Sequence, residues 1–196
     1  MSSLNAPTGL LIGGEWQQTE KRLQVMDPAT FTVLAEIGDA GVSDGLDAVA
    51  AASDAFQTWS VTPARQRAEV LRRAFEIMTA ELETCARIIS LENGKAWRDA
   101  LGEATYAAEF FRWYAEEAVR IDGRFTTNEN GSGRVLVLRQ PVGPCLFITP
   151  WNFPLAILTG MTAAALATGN TVVMKPAEQT PVVGAKLMEV FVEAGI

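Results

Sequence analysis

The amino-acid sequence predicts an α/β fold built from a helical layer, a β-hairpin arm and the first strands of a parallel sheet. Apolar residues recur at helical spacing over residues 43–115, two extended runs flank a turn in residues 124–139, and strand and helix patterns alternate over residues 145–194. With 48% hydrophobic and 20% charged residues, the 196-residue chain can bury the core of a globular domain.

Short extended runs begin the chain. Between residues 10 and 37, three apolar stretches are separated by Gly13-Gly14 and by the turn-forming residues 27–30. We expect a small β-meander at the surface.

Three helices are expected next. Ser43 is a candidate N-cap for a helix ending near Trp59, and Pro63 suits the first position of a second helix. The apolar stripe of that second helix consists of Leu71, Phe75, Met78, Leu82, Cys85 and Ile89. A third helix, after a C-cap signal at residues 92–94, carries on one face Leu101, Ala104, Ala108, Phe111 and Ala115. A coiled coil could show similar stripes, but Gly94 and the many alanines favour packing on a sheet or on neighbouring helices.

The hairpin pattern lies in residues 124–139. Its turn, residues 128–133, contains two Asn and two Gly. Because a two-stranded arm is marginally stable alone, we expect it to pair with another segment or subunit. These boundaries divide the chain into residues 1–122, an arm at residues 123–141, and residues 142–196.

No charged residue occurs between Arg139 and Lys175, so a membrane span must be considered. Prolines and Gly169-Asn170 interrupt the stretch, and we therefore predict no span but a strand (145–148), a helix (155–168) and a second strand (171–174), followed by a helix over residues 181–194. Continuous apolar strands are typical of a parallel sheet buried on both faces.

Composition excludes several classes of function. A net charge of −7 argues against nucleic acid as a partner. The absence of histidine excludes nucleophiles that are activated by histidine. It also leaves only cysteine and carboxylate ligands for zinc, so we expect no metal site. The N-terminal residues show no signal peptide, which indicates a cytoplasmic protein. We expect Cys85 and Cys145 to be reduced and buried.

Polar residues follow both predicted parallel strands. Asn152 lies in the first loop, and Lys175 and Glu178 lie at the start of the second. Nucleotides bind at the carboxyl ends of neighbouring parallel strands, so a nucleotide site is possible there. Turn formation by Asn152 and helix capping by Glu178 are the alternative, and no Gly-x-Gly-x-x-Gly motif supports a standard pyrophosphate loop.

The sequences of these two loops together resemble motifs of the NAD-dependent aldehyde dehydrogenase superfamily, including its succinate-semialdehyde dehydrogenases. The motifs are TPWNFP at residues 149–154 and KPAEQTP at residues 175–181. The likeness extends over residues 10–196 through further segments, which are IGGEW (12–16), DPAT (27–30), ENGK (92–95), QPVGP (140–144) and ALATGN (165–170). It implies a truncated parallel-sheet dinucleotide-binding domain of the aldehyde dehydrogenase type.

The resemblance implies a role for each matching residue. Asn152 would donate its side-chain amide to the substrate oxygen that gains charge during attack, a contribution of roughly 3–4 kcal/mol to lowering the barrier. Lys175 and Glu178 would bind the adenosine ribose. The cofactor groove would also be lined by Ile148, Thr149, Pro150, Trp151 and Ala177. We expect NAD rather than NADP, because the Glu178 carboxylate would repel a 2′-phosphate.

The family's reaction converts an aldehyde to a carboxylic acid. Its nucleophilic cysteine and general-base glutamate lie in a later part of the family sequence, so we expect these 196 residues to be inactive alone. Cys145 matches no nucleophile motif. The resemblance implies a homodimer or homotetramer formed through the arm, and an aromatic wall of residues 109–114 at the substrate tunnel, although ordinary helix packing is the better interpretation of that wall.

The aldehyde itself is left open. Gly160-Met161 stands where succinate-semialdehyde dehydrogenases commonly have Arg-Lys, so an anchor for the substrate's acid group is missing and succinate semialdehyde is in doubt. A coenzyme-A-acylating semialdehyde dehydrogenase is one alternative, although the EQTP run at residues 178–181 favours the hydrolytic branch. A non-catalytic, oligomeric nucleotide-binding fragment is the other.

Overall fold

A computed structural model describes residues 4–196; residues 1–3, the start of the stretch used to judge the signal peptide, lie outside it. The strands are β1 (Leu10–Ile12), β2 (Glu15–Gln17), β3 (Arg22–Met26), β4 (Val33–Gly38), β5 (Arg124–Thr127), β6 (Arg134–Val137), β7 (Pro144–Ile148) and β8 (Thr171–Lys175). The helices are α1 (Val42–Trp59), α2 (Ala64–Ala80), α3 (Leu82–Asn93), α4 (Trp97–Glu117), α5 (Ala156–Ala167) and α6 (Val182–Ala194).

The N-terminal strands form two antiparallel hairpins, β1–β2 and β3–β4. The small meander expected over residues 10–37 was therefore wrong, because its strands belong to two separate sheets. Gly13 and Gly14 have positive φ angles of 62° and 84°, which close the first hairpin tightly. A polar turn after β2 then leads the chain into a separate ladder.

The helical layer follows the predicted apolar stripes with corrected boundaries. Gly41, not Ser43, is the N-cap of α1, and its N–H donates to the Asp44 carboxylate at 2.7 Å. The second helix was predicted as one element but ends at Ala80. Glu81, with φ −102° and ψ 13°, separates α2 from α3 without moving the stripe off the buried face.

One hydrophobic core joins the helices to the C-terminal β-α-β-α segment. The central helix α4 packs against α2, α3 and α5, and α6 packs against α2 and α3. Small residues on α4, among them Ala104 and Ala108, are fully buried and allow close approach of its neighbours. Phe111 of α4 meets Phe191 of α6 edge to face, with ring centroids 5.5 Å apart.

The predicted parallel pair is present: β7 and β8 run parallel, from Pro144 opposite Thr171 to Ile148 opposite Lys175, and α5 connects them. The expected burial of both strand faces was wrong. Leu146 and Ile148 are 60% and 67% exposed, because the parallel sheet within residues 4–196 has two strands and its helices cover it incompletely.

The cysteine prediction was half right. Cys85 is buried and free, and burial raises the pKa of its thiol to about 12. Cys145 is also free, but it is partly exposed because β7 is uncovered.

Strands β5 and β6 form the predicted hairpin, and its side chains are largely exposed, with Phe125 at 70% and Leu136 at 64%. Its expected pairing with another segment or subunit stays a prediction. Among the helices of residues 4–196, none is both long and apolar enough to cross a bilayer.

Candidate functional site

The two loops singled out in the sequence leave the same edge of the parallel pair. Ile148 lies opposite Lys175 at the carboxyl ends of β7 and β8, and the Thr149 N–H donates to the Lys175 carbonyl at 3.3 Å. Thr149 is buried, and within residues 4–196 its hydroxyl has no hydrogen-bond partner. Pro150 is exposed. The ladder therefore brings the starts of both loops together.

The second loop presents a charged pair to solvent. Lys175 Nζ lies 2.8 Å from Glu178 Oε2, and both side chains are more than half exposed. The Lys175 ammonium, through its hydrogen bond, lowers the pKa of the Glu178 carboxyl, so this carboxylate stays ionised at neutral pH. Ala177, between them, is buried and ties the loop to the body of the protein.

The first loop is held by its backbone and leaves its side chains free. Asn93 Nδ2, at the end of α3, donates to the Trp151 carbonyl at 2.7 Å, and Lys95 Nζ donates to the Asn152 carbonyl at 2.9 Å. The Lys95 ammonium also lies 4.2 Å from the centroid of the Phe153 ring. The side chains of Trp151 and Asn152 are exposed.

A buried carboxylate anchors the end of this loop. Glu103 of α4 forms an ion pair with Lys95, and its side chain is 1% exposed. Its other oxygen accepts the N–H groups of Leu155 and Ala156, at 3.0 and 3.2 Å, where α5 begins. A negative charge at a helix N-terminus satisfies free N–H donors and complements the helix dipole.

A buried carboxyl group also satisfies the first N–H groups of helix α6, after the second loop. The buried Glu92 carboxyl accepts the N–H groups of Val182 and Val183 at 2.8 and 2.9 Å. Burial raises the pKa of Glu92 to about 8 against the opposing effect of those two donors.

Arginines of α2 complete this arrangement at the opposite helix ends. Arg67 Nε donates to the carbonyl of Ala167 at 3.1 Å, and Arg73 donates to that of Ala194 at 2.9 Å. Both helices that follow the site loops therefore carry an acid at the N-terminus and a cation at the C-terminus.

An apolar groove of about 550 Å³ lies between α4 and α5 and reaches the Asn152 loop at Phe153. Its lining consists of Tyr106, Phe110, Tyr114, Phe153, Ala156, Ile157, Gly160, Met161 and Ala164, with no charged side chain. Gly160 faces the Phe110 ring so closely that a Cβ there would lie 3.2 Å from it. Part of the aromatic face of α4 thus borders a groove and is not sealed in the core.

The sequence identified the two loops, but it indicated only a helix C-cap at residues 92–94 and no role in the site for the four residues that hold these loops, which are Glu92, Asn93, Lys95 and Glu103. A signal was available. Glu103 stands among alanines on the apolar face of α4, and an acid in such a position needs a partner.

Comparison with known proteins agrees with the motifs. Residues 16–196 match the aldehyde dehydrogenase family model. The chain is 42% identical over 188 residues to the mitochondrial succinate-semialdehyde dehydrogenase of Arabidopsis thaliana, covering 95% of this chain and 36% of that protein.

Solved structures are similar as well, among them the following two. An NADP-dependent enzyme of E. coli aligns with a TM-score of 0.95 at 37% identity, over 100% of this chain and 41% of its own. A 1-pyrroline-5-carboxylate dehydrogenase from Thermus with bound NAD aligns with a TM-score of 0.86 at 34% identity, and the alignment covers 96% of this chain and 37% of that enzyme. The chain thus spans little more than a third of the length of these relatives, some named with NAD and others with NADP. On its motifs, its fold and these matches, the chain belongs to the aldehyde dehydrogenase family and is close to its succinate-semialdehyde dehydrogenases.

Proposed function

We propose that the protein carrying this chain oxidises an aldehyde to a carboxylic acid with NAD, and that these residues supply the ribose contacts and an oxyanion donor. The observation that carries the proposal is the common edge at which both loops begin, with Thr149 bonded to Lys175. A nucleotide lying along that edge would reach both loops.

The second loop has the chemistry that a ribose needs. A carboxylate accepts hydrogen bonds from two vicinal hydroxyl groups, and an ammonium donates one, so the exposed Glu178–Lys175 pair fits the adenosine ribose. An ionised Glu178 repels a 2′-phosphate, which favours NAD over NADP. Because a similar enzyme is named as NADP-dependent, the affinities for NAD and NADP should be measured side by side.

Asn152 would act on the substrate. When a nucleophile adds to the aldehyde carbon, the carbonyl oxygen gains negative charge, and a side-chain amide fixed beforehand stabilises it. Bound NAD supplies the hydride acceptor. The exposed Asn152 side chain on a loop held by its backbone suits this role. Ile148, Thr149, Pro150 and Trp151 would line the cofactor groove beside it.

The substrate proposed is an aldehyde whose chain lies in the α4–α5 groove. The apolar lining, with Gly160 and Met161 and no cation, favours an uncharged tail, whereas relatives named succinate-semialdehyde dehydrogenases favour a carboxylated one. Turnover of aliphatic, aromatic and carboxylated aldehydes by the protein with NAD would decide between them.

A non-catalytic, oligomeric nucleotide-binding role is the second candidate. It is favoured by the exposed apolar arm, because Phe125 and Leu136 would be buried in an assembly. The two candidates differ in aldehyde turnover but share NAD binding. A cytoplasmic location and a homodimer or homotetramer remain predictions.

Calorimetric titration with NAD tests what both candidates share. Glu178→Gln should weaken NAD binding at least about tenfold, because the ribose loses a charged acceptor. Glu189→Gln is the matched control: the Glu189 side chain is 45% exposed and lies 2.7 Å from a lysine three residues away, Lys186. Equal affinities for the two variants, or no saturable binding by the wild-type chain, would refute the proposed site.

A further inference from the structure

We infer that the turn after α3 is a positioning clamp for Asn152. The clamp consists of Asn93 and Lys95, supported by Glu103. The inference rests on the proposed role of Asn152 and adds residues for which the family motifs suggested no function.

Two hydrogen bonds hold the peptide planes on either side of the Asn152 Cα. Because peptide units are planar, the carbonyl of Trp151 lies in the plane that precedes the Asn152 Cα, and the carbonyl of Asn152 lies in the plane that follows it. Asn93 holds the first carbonyl at 2.7 Å and Lys95 holds the second at 2.9 Å. Fixing both planes fixes φ and ψ of Asn152 and therefore the direction of its Cα–Cβ bond.

Two further contacts fix the residues that follow Asn152, so that the end of the loop cannot shift. The Lys95 ammonium lies over the Phe153 ring, and the Glu103 carboxylate holds the N–H groups of Leu155 and Ala156. Glu103 also forms an ion pair with Lys95. One carboxylate therefore positions both the Lys95 ammonium and helix α5, which follows the loop. Only the side-chain torsions of Asn152 remain free, which is the condition that a preorganised oxyanion donor requires.

Helix capping alone does not explain these contacts. Asn93 and Lys95 donate to carbonyl groups of the loop that precedes α5. These carbonyl groups belong to neither α3 nor α5. A clamp that serves Asn152 should therefore control the motion of the loop more than the stability of the fold.

Amide hydrogen exchange of residues 149–156, measured without NAD, tests the clamp. Asn93→Ala should accelerate exchange there about threefold to tenfold and leave the global unfolding transition in place, because one hydrogen bond is lost and alanine suits the last turn of a helix. Lys95→Met should accelerate it by about tenfold or more, and Lys95→Arg should restore most of the protection, since arginine keeps the charge and stacks on aromatic rings.

Lys186→Met is the matched control. Lys186 is likewise buried and paired, with Glu189 at 2.7 Å and Glu81 at 3.4 Å, and it should lower global stability without selective exchange in residues 149–156. If Lys95→Met does not fold, Asn93→Ala decides alone. Wild-type exchange rates in Asn93→Ala, or equal acceleration in Lys186→Met, would overturn the clamp. Failure of the wild-type chain to bind NAD would instead refute the proposed function and leave the exchange result standing.

Discussion

Replacing Glu103 by glutamine isolates the charge of the carboxylate at the start of α5. The glutamine oxygen can still accept the N–H groups of Leu155 and Ala156. Its NH₂ group, however, would face the Lys95 ammonium in place of a carboxylate oxygen. The substitution therefore removes the acid partner of Lys95, whose side chain is only 15% exposed.

The cost follows from that geometry. Removing one partner of a buried ion pair costs about 3–5 kcal/mol, and the partial exposure of Lys95 places Glu103→Gln near the lower limit, at about 3 kcal/mol. Glu69→Gln is the control, because Glu69 pairs with Arg72 on the surface, where both side chains are at least half exposed. That variant should unfold with the wild-type chain within experimental error.

Urea denaturation gives the free energy of unfolding without screening the ion pair. A double-mutant cycle with Lys95→Met should show coupling of about 2 kcal/mol, because the second substitution removes the ammonium that the glutamine opposes. Strictly additive costs, or a loss for Glu103→Gln no larger than that for Glu69→Gln, would contradict the structural account.

Three further predictions concern other parts of the structure. Burial raises the pKa of Glu92 from its ordinary 4.5 to about 8, so the stabilisation from this bound proton is complete below about pH 4.5 and is lost as the pH rises through about 8. Glu92→Gln should flatten the corresponding decline in melting temperature with pH, and an unchanged slope would refute the assignment. Gly94→Ala should destabilise by about 2 kcal/mol in urea melts, since its φ is +74° and a Cβ would lie 2.9 Å from Pro28, whereas Gly131→Ala, with φ +73° in open space, should cost less. Asn152→Ala should leave the NAD affinity measured by calorimetry unchanged while lowering aldehyde turnover by the protein that carries this chain. A loss of affinity would place Asn152 in the cofactor site instead.

Local periodicity predicted most of the helical layer, because burial of a helix face depends on spacing within the helix. The break at Glu81 was missed since the apolar stripe continues across it in phase, so the pattern contains no sign of the kink. Burial of β7 was predicted wrongly for a different reason. An apolar strand shows what could be covered, whereas the exposure of Leu146 depends on which elements lie beside it.

The site was predictable in part. Two loops at the ends of parallel strands follow from the strand–helix alternation, and the motifs identify their polar residues. The contacts that hold the first loop join residues 58 and 57 positions apart, Asn93 to Trp151 and Lys95 to Asn152. No local pattern encodes such pairs, and Glu103 on an apolar face showed only that some partner must exist.

We expect the ends of β7 and β8 to form one nucleotide site beside Asn152. Titrating the ¹⁵N-labelled chain with NAD, and following its amide resonances, tests it most directly. We expect amides in residues 149–152 and 175–178 to shift together and saturate at one dissociation constant. Shifts confined to one loop, two different dissociation constants, or changes elsewhere on the protein would contradict it.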